Sequence, residues 1–210
     1  MSTTLLLLAD GRFPAGGHAH SGGLEAAVTA GRVRDLETLA AFLDGRLATA
    51  GLVAAAFAAA ACRGGDTSTL DSEMDARTPS PALRKASRAQ GRALLRAGRT
   101  LWTLSTVERE LHHPVALGVV AAAAGLAPEE AALTAAYGTV TGPASAAVRL
   151  LGLDPYATHA LVARLARDCD AVARRAARVA TVDELPACSA PLLDIGAEAH
   201  ASWEVRLFAS

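Results

Sequence analysis

Aromatic residues and charged residues are both scarce in this 210-residue sequence. Phe, Trp and Tyr make up 4% of the chain and charged residues 20%, whereas hydrophobic residues make up 51%. The apolar content is therefore mostly Ala, Leu and Val, which favours closely packed helices over a sandwich or barrel filled with aromatic side chains. The length fits one unit, so we expect a single all-α domain over residues 1–210.

Paired cysteines and long apolar runs are also missing. Cys62, Cys169 and Cys188 are far apart and form no Cys-x-x-Cys pair, so the spacing indicates neither a disulfide framework nor a zinc ribbon and fits a reducing cytosol. The run Leu5–Leu8 is too short for a signal peptide and follows no basic residues. No Ala-rich run reaches the roughly 20 residues that span a bilayer. We expect a cytoplasmic protein without a membrane partner.

Signatures of the common hydrolases are absent too. The chain has no Gly-x-Ser-x-Gly elbow, no His-Glu-x-x-His pair and no Cys-His nucleophile pattern. Gly11 and Gly16 have the spacing that opens a phosphate-binding loop, but Gly17 and His18 stand where such a loop needs Lys and Ser or Thr. The sequence therefore predicts a protein that is not an enzyme, hydrolyses no GTP and holds no cofactor.

The formal net charge of −1 predicts no overall attraction to nucleic acid or to an anionic membrane surface. Between residues 84 and 99, however, Arg84, Arg88, Arg92 and Arg96 recur every fourth residue with no acidic residue among them. Like charges at this spacing repel on a helix, so an acidic neighbour within the fold or on a partner would relieve them. A solvated face is equally open. DNA binding is a third interpretation, without a helix-turn-helix signature or interleaved aromatic residues to support it.

Helix start signals recur at short intervals, among them Asp35, Ser80-Pro81, Asp154-Pro155 and a possible capping box from Thr181 to Glu184. In the helix predicted from residue 155, Cys169 lies within the apolar row and is interpreted as a core residue. Roughly nine or ten helices are expected, over residues 22–31, 35–49, 51–63, 67–77, 81–101, 114–125, 128–150 with a break near Gly142-Pro143, 155–179 and 190–202.

The segment 5–25, LLLLADGRFPAGGHAHSGGLE, has the most unusual local composition. Its glycine pairs indicate a specified backbone shape. His18 and His20 lie on one side of an extended segment, but no third histidine is near in sequence to complete a metal site. We interpret both as packing or partner-contact residues and keep a His-ligated metal site as the alternative. His112-His113, before a proline, is expected to be a solvated helix start.

The C-terminal tail, residues 203–210, places apolar side chains where a terminus would ordinarily fray into water. Trp203, Leu207 and Phe208 need a surface to cover. Docking onto the tail's own domain is the default prediction, and docking onto another subunit is the functional alternative.

The leucine-rich start followed by Pro-x-Gly-Gly and Ser-x-Gly-Leu-Glu resembles the N-terminal signature of the UreF family of urease accessory proteins. Family members usually carry aromatic residues where this chain has His18 and His20, and a Pro-Leu-Gly-Gln-like turn where it has Leu151–Pro155. The signature residues are Pro14, Gly16, Gly17, Ser21, Gly23, Leu24 and Glu25, with fainter similarity at Gln90–Arg92, Pro114–Gly118, Ala147–Leu150 and Arg206–Ser210.

The resemblance implies a non-catalytic factor for nickel insertion into apo-urease, which bridges UreD, also called UreH, and the GTPase UreG, and which forms a homodimer. A helical DNA-binding regulator that uses the 84–99 face is the alternative, followed by a small His-ligated metalloenzyme. The residues expected to contact partners are Pro14, Gly16, Gly17, His18, His20, Ser21, Gly23, Glu25, Arg88, Arg92, Trp203, Arg206, Leu207 and Phe208.

Overall fold

The computed structural model describes residues 3–106, 108 and 110–210, and these contain helices and no strand. The expected all-α domain is confirmed. An N-terminal helix absent from our prediction comes first, and short 3-10 turns occur at Gly17–Ala19 and Val182–Glu184. The α-helices are α1 (Thr3–Ala9), α2 (Leu24–Thr29), α3 (Leu36–Arg46), α4 (Leu52–Cys62), α5 (Thr67–Ala76), α6 (Pro81–Leu101), α7 (His113–Ala123), α8 (Pro128–Leu151), α9 (Pro155–Arg164), α10 (Ala166–Ala177) and α11 (Pro191–Ala201).

Helix α4 lies at the centre of the fold, against α7, α8 and α10. Its sequence, LVAAAFAAAAC, is apolar throughout, and nine of its eleven residues are buried. Alanine extends no further than Cβ, so the surrounding helices approach this axis closely. Helix α6 covers the outer side of α7, and α11 packs against α6 and α2. This arrangement brings the end of the chain back to its beginning.

The helices predicted over 35–49 and 51–63 are one continuous helix, Leu36–Cys62. A π turn at Leu47–Gly51 stands where the break was expected. Among the described residues this is the helix long and apolar enough to cross a membrane by length and composition, but 61% of its most apolar window is buried inside the protein. Such burial is typical of a core helix.

Helix α8 continues through Pro143, so the predicted break near Gly142-Pro143 is wrong. Proline has no N–H to donate to the carbonyl one turn earlier, which here belongs to Thr139. The Arg46 Nε–H donates to that carbonyl instead, at 3.3 Å. A side chain from a different helix thus satisfies the acceptor that the proline leaves free.

The helix predicted over 155–179 is two helices, because the chain turns at Leu165 between α9 and α10. The apolar row itself is correct, since Leu161, Leu165 and Cys169 are all buried. Burial is the main reason that the pKa of the Cys169 thiol rises to about 11. This cysteine is therefore a core residue, as predicted.

The predicted helix starts are confirmed at the positions where a side chain caps the helix. Asp35 accepts the Thr38 N–H at 2.9 Å, and Asp154 caps α9. The expected capping box at Thr181 is wrong, because its side chain makes no capping hydrogen bond and only a 3-10 turn follows. Glu184 accepts the Ala180 N–H instead.

Candidate partner-binding site

The carboxylate of Glu25 joins the N-terminal signature to the C-terminal tail. Glu25 is 7% exposed. Its Oε2 accepts hydrogen bonds from His200 Nε2 at 2.8 Å and from the Phe208 N–H at 3.0 Å, and its Oε1 accepts the Leu207 N–H at 2.8 Å. One buried side chain near the start of the chain therefore fixes the backbone at its end.

These contacts keep the carboxylate of Glu25 ionised. Burial raises the pKa of Glu25, but hydrogen bonds from His200 and from the backbone N–H groups of Leu207 and Phe208 more than offset it. The pKa therefore lies below its ordinary value. A carboxylate is a stronger acceptor than a carboxylic acid, so the tail is held most firmly in the ionised state.

The last residues lie along the segment that precedes Glu25. The Ser210 carbonyl accepts both the Ser21 N–H, at 2.6 Å, and the Ser21 hydroxyl, at 2.9 Å. His20 Nδ1 lies 2.7 Å from the Ser210 hydroxyl, and the Ala209 N–H donates to the Ala19 carbonyl at 2.7 Å. We call this assembly the tail clasp: residues 19–25 and His200, bound to residues 207–210.

Two glycines give the clasp its shape. Gly22 and Gly23 have φ of +64° and +88°, a left-handed conformation that favours glycine. They turn the chain from the Ser21 contacts with the tail into α2, whose first turn holds Glu25. The turn that directs Glu25 towards the tail therefore requires glycine at both positions, and Gly23 is one of the signature residues.

Hydrophobic contacts complete the attachment. Phe208 is buried, and the Arg149 guanidinium stands 4.7 Å from the centre of its ring. Trp203 packs beside His200, with ring centres 4.8 Å apart. The default prediction, that the tail docks onto its own domain, is confirmed.

Other apolar side chains, on the tail and on α11, remain exposed. On the tail, Val205 is 87% and Leu207 58% exposed; on α11, Leu192 is 59% and Ile195 63% exposed. Soluble domains rarely leave several large apolar side chains open close together without a binding role. Docking of the tail therefore still leaves an apolar surface available to another protein.

Several other residues that were predicted to contact partners lie at or near the surface. Pro14, Gly17 and His18 are exposed, as is Arg206 on the tail, and Gly16 is half-buried. His20 is half-buried and belongs to the clasp, whereas His18 is not hydrogen-bonded within it. The structure thus separates two histidines that the sequence presents as a pair.

Three arginines of the 84–99 row, Arg84, Arg88 and Arg92, pair with acidic residues within the fold. Arg88 pairs with Asp71 at 2.5 Å and with Asp75 at 2.6 Å, both on α5. Arg92 pairs with Glu110 at 3.2 Å in a more exposed position. The repulsion among these arginines is thus reduced by acidic residues of the same chain, which is one of the two possibilities predicted from the sequence.

His112 lies beneath this ion-pair network, so the prediction of a solvated helix start is wrong. It is fully buried, its Nε2 lies 2.8 Å from Asp75 Oδ1, and its N–H donates to Asp71 at 2.7 Å. Asp71, Asp75 and His112 have the proximity of metal ligands among the residues described. Arg88 already pairs with both carboxylates, which makes this an ion-pair network rather than a vacant metal site.

Substitution of Arg88 by methionine should lower the free energy of unfolding by about 2 kcal/mol, because it leaves two partly buried carboxylates facing each other. The matched variant Arg92→Met should change it by under about 0.5 kcal/mol, since that ion pair is exposed. Urea denaturation of both variants measures the difference. Equal losses would show that Arg88 has no special structural role.

Comparison with known proteins matches this chain to one family. The UreF family model matches residues 33–166. A urease accessory protein UreF from Mycobacterium sp. (strain JLS) is 52% identical over 212 residues, which cover 99% of this chain and 98% of the relative. Proteins of the same name from Mycolicibacterium vanbaalenii and Mycobacterium tuberculosis (strain H37Rv) are 48% identical over 99% and 98%, and 46% identical over 98% and 97%, of the two chains.

The match extends well beyond the signature. The family model begins at residue 33, after the glycine-rich segment, and covers the chain from there into α10. The full-length relatives add the N-terminal segment and the tail, the two parts that meet at the clasp. This chain therefore belongs to the UreF family of urease accessory proteins, which is not a family of enzymes.

Proposed function

We propose that this chain is a urease accessory protein that assists nickel insertion into apo-urease by bridging UreD, also called UreH, and the GTPase UreG. It acts as a homodimer in the cytoplasm, without nucleic acid or membrane. Family membership supports the maturation role, since the relatives named urease accessory protein UreF cover nearly all of this chain. Recognition, not catalysis, is the task.

The observation that carries the proposal is the tail clasp. It holds the tail in one conformation, in which the side chains of Val205 and Leu207 are exposed apolar groups. A preorganised apolar surface binds a partner with a smaller loss of conformational entropy than a free tail would. We assign UreD to this surface, with the exposed Arg206 at its polar rim.

The two alternatives have weaker support. A DNA-binding regulator needs free cationic side chains, but Arg88 and Arg92 are engaged with carboxylates of the same chain. A metalloenzyme needs converging ligands, and among the described residues His18 and His20 are not part of the three-residue group with metal-ligand proximity.

Co-purification tests the assignment of the tail. The chain is co-expressed with candidate UreD and UreG, and the complex is recovered through a tag on UreD. Leu207→Ser should weaken UreD binding at least tenfold, because it removes an exposed apolar side chain while leaving the Leu207 N–H bound to Glu25. Leu101→Ser is the matched control, as Leu101 is 52% exposed on α6; it should retain normal binding.

Two results would contradict the proposal at different levels. If UreD binds Leu207→Ser, and also a chain that lacks residues 203–210, as tightly as it binds the natural chain, the tail is not the docking surface. If no complex forms when all three proteins are soluble, the bridging role itself is wrong.

A further inference from the structure

A cavity of about 920 Å³ separates the N-terminal segment from helices α6, α7 and α8. Four histidines line it: His18 and His20 of the N-terminal segment, His113 of α7 and His159 of α9. Burial, and then the proximity of His20, lower the pKa of His113 to about 4. Burial also lowers the pKa of His20. His20 and His113 are therefore predominantly neutral at pH 7 and contribute little charge to the cavity.

Arg46 lines this wall, and within the described residues it has no ion pair. Arg46 is the last residue of α3, immediately before the π turn, and its Nε–H donates a hydrogen bond to the Thr139 carbonyl. Within the described residues its two Nη groups make no hydrogen bond or ion pair, and both keep some contact with solvent. Because Arg46 lines the cavity, its four Nη–H donors are available to a ligand there.

The guanidinium nevertheless lies deep in the protein. Burial lowers its pKa to about 10, which still leaves it charged at pH 7. Its Nη2 lies 3.0 Å from where a Cβ on Gly22 would stand, so the glycine makes room for it. Arg46 keeps some accessible surface and lines the cavity.

The other charged groups at the cavity wall already have partners. Asp10 pairs with Arg12, and Asp194 accepts the Ser80 N–H. Arg77 pairs with Glu73, and Arg149 stacks on Phe208. None of these carboxylates reaches Arg46, and an enclosed cation without a counter-charge favours an anion from outside.

We propose that the Nη groups of Arg46 form an anion-binding subsite in this cavity, which takes a small oxyanion such as phosphate, sulfate or a free carboxylate. Two Nη donors of one planar guanidinium match two oxygens of such an anion. The subsite is formed by Arg46, which is not one of the residues assigned to the docking surface of the tail. Because the isolated chain contains all of it, its test does not depend on any urease protein.

Isothermal titration calorimetry of the full chain tests the subsite, with inorganic phosphate, sulfate and acetate titrated separately at constant ionic strength. We expect one saturable site with a dissociation constant of about 1 mM for the best of the three. Arg46→Gln should weaken binding at least tenfold. Arg167→Gln, which removes an exposed arginine of α10 that does not line the cavity, should leave it unchanged.

A second variant covers the structural role of Arg46. Loss of its Nε–H would leave the Thr139 carbonyl without a donor, so Arg46→Gln is also made together with Pro143→Ala, which restores a backbone N–H to that carbonyl. The double variant should fold and should still bind at least tenfold more weakly. Absence of saturable binding to the natural chain up to about 50 mM of each anion, or undiminished binding to the double variant, would overturn the proposal.

Discussion

Gly118→Ala should be among the most damaging single substitutions in this protein, with a loss of about 3 kcal/mol or more in the free energy of unfolding. Gly118 lies in α7 where this helix crosses α4. A Cβ there would overlap the Ala58 carbonyl oxygen and would lie 2.6 Å from Ala61 Cβ and 2.8 Å from the Cys62 N. Backbone atoms of a central helix cannot move aside as a flexible side chain does, so the two helices must separate.

The matched control is Gly138→Ala, in α8. Gly138 is exposed, and a Cβ there would meet nothing within 4 Å. Alanine is the better helix former by about 1 kcal/mol, so this variant should be more stable than the natural chain. Thermal unfolding should therefore shift in opposite directions for the two substitutions. A Gly118→Ala protein that unfolds at the natural temperature would show that α4 and α7 do not pack this closely.

The opposite expectations for these glycines show what sequence patterns leave open. Gly138, Gly142 and Ala146 recur every fourth residue, which is the pattern that permits close approach of another helix. Yet added Cβ atoms at Gly138 and Gly142 would touch nothing, whereas Gly118 is enclosed. The spacing shows that small residues share one face of the helix. Whether another helix packs closely against that face depends on the position of the neighbouring helix.

Local signals predicted most of the helices, because a capping side chain and an apolar row act within one or two turns. The errors arise where a distant residue changes the outcome. Pro143 breaks a helix unless something satisfies the Thr139 carbonyl, and the residue that does so, Arg46, lies 93 positions earlier. Likewise, His112 appeared solvated because the carboxylates that receive it belong to α5.

The candidate site was half visible in the sequence. The glycine pair and Glu25 stood out, and so did the apolar tail, but no pattern linked them. Glu25 meets His200 across 175 positions and Phe208 across 183. The sequence around His200 carries no motif that would mark this residue as part of the clasp. An acidic residue in an otherwise apolar first turn was the available signal.

Glu25→Gln should release the tail while leaving the helical core folded. An amide accepts weakly through one oxygen, and its NH2 group would face donors that now bind a carboxylate. The free energy of unfolding should fall by about 2 kcal/mol. Hydrogen exchange at the Leu207 and Phe208 amides should accelerate about 30-fold, since local opening gains the same amount. Glu204→Gln, an exposed carboxylate on the same tail, should change neither quantity.

The pH dependence of that difference separates a charge effect from a packing effect. The folded-state pKa of Glu25 lies below its ordinary value of 4.5, so the ionised carboxylate stabilises the fold at every pH above the unfolded-state value. This stabilisation disappears as the pH falls through the lowered folded-state pKa. The natural chain and Glu25→Gln should therefore differ by a constant amount near neutrality and converge once the pH has fallen below the lowered folded-state pKa of Glu25. A difference that persists in acid would mean that the side chain acts through its shape, and the clasp would then not depend on the charge of Glu25.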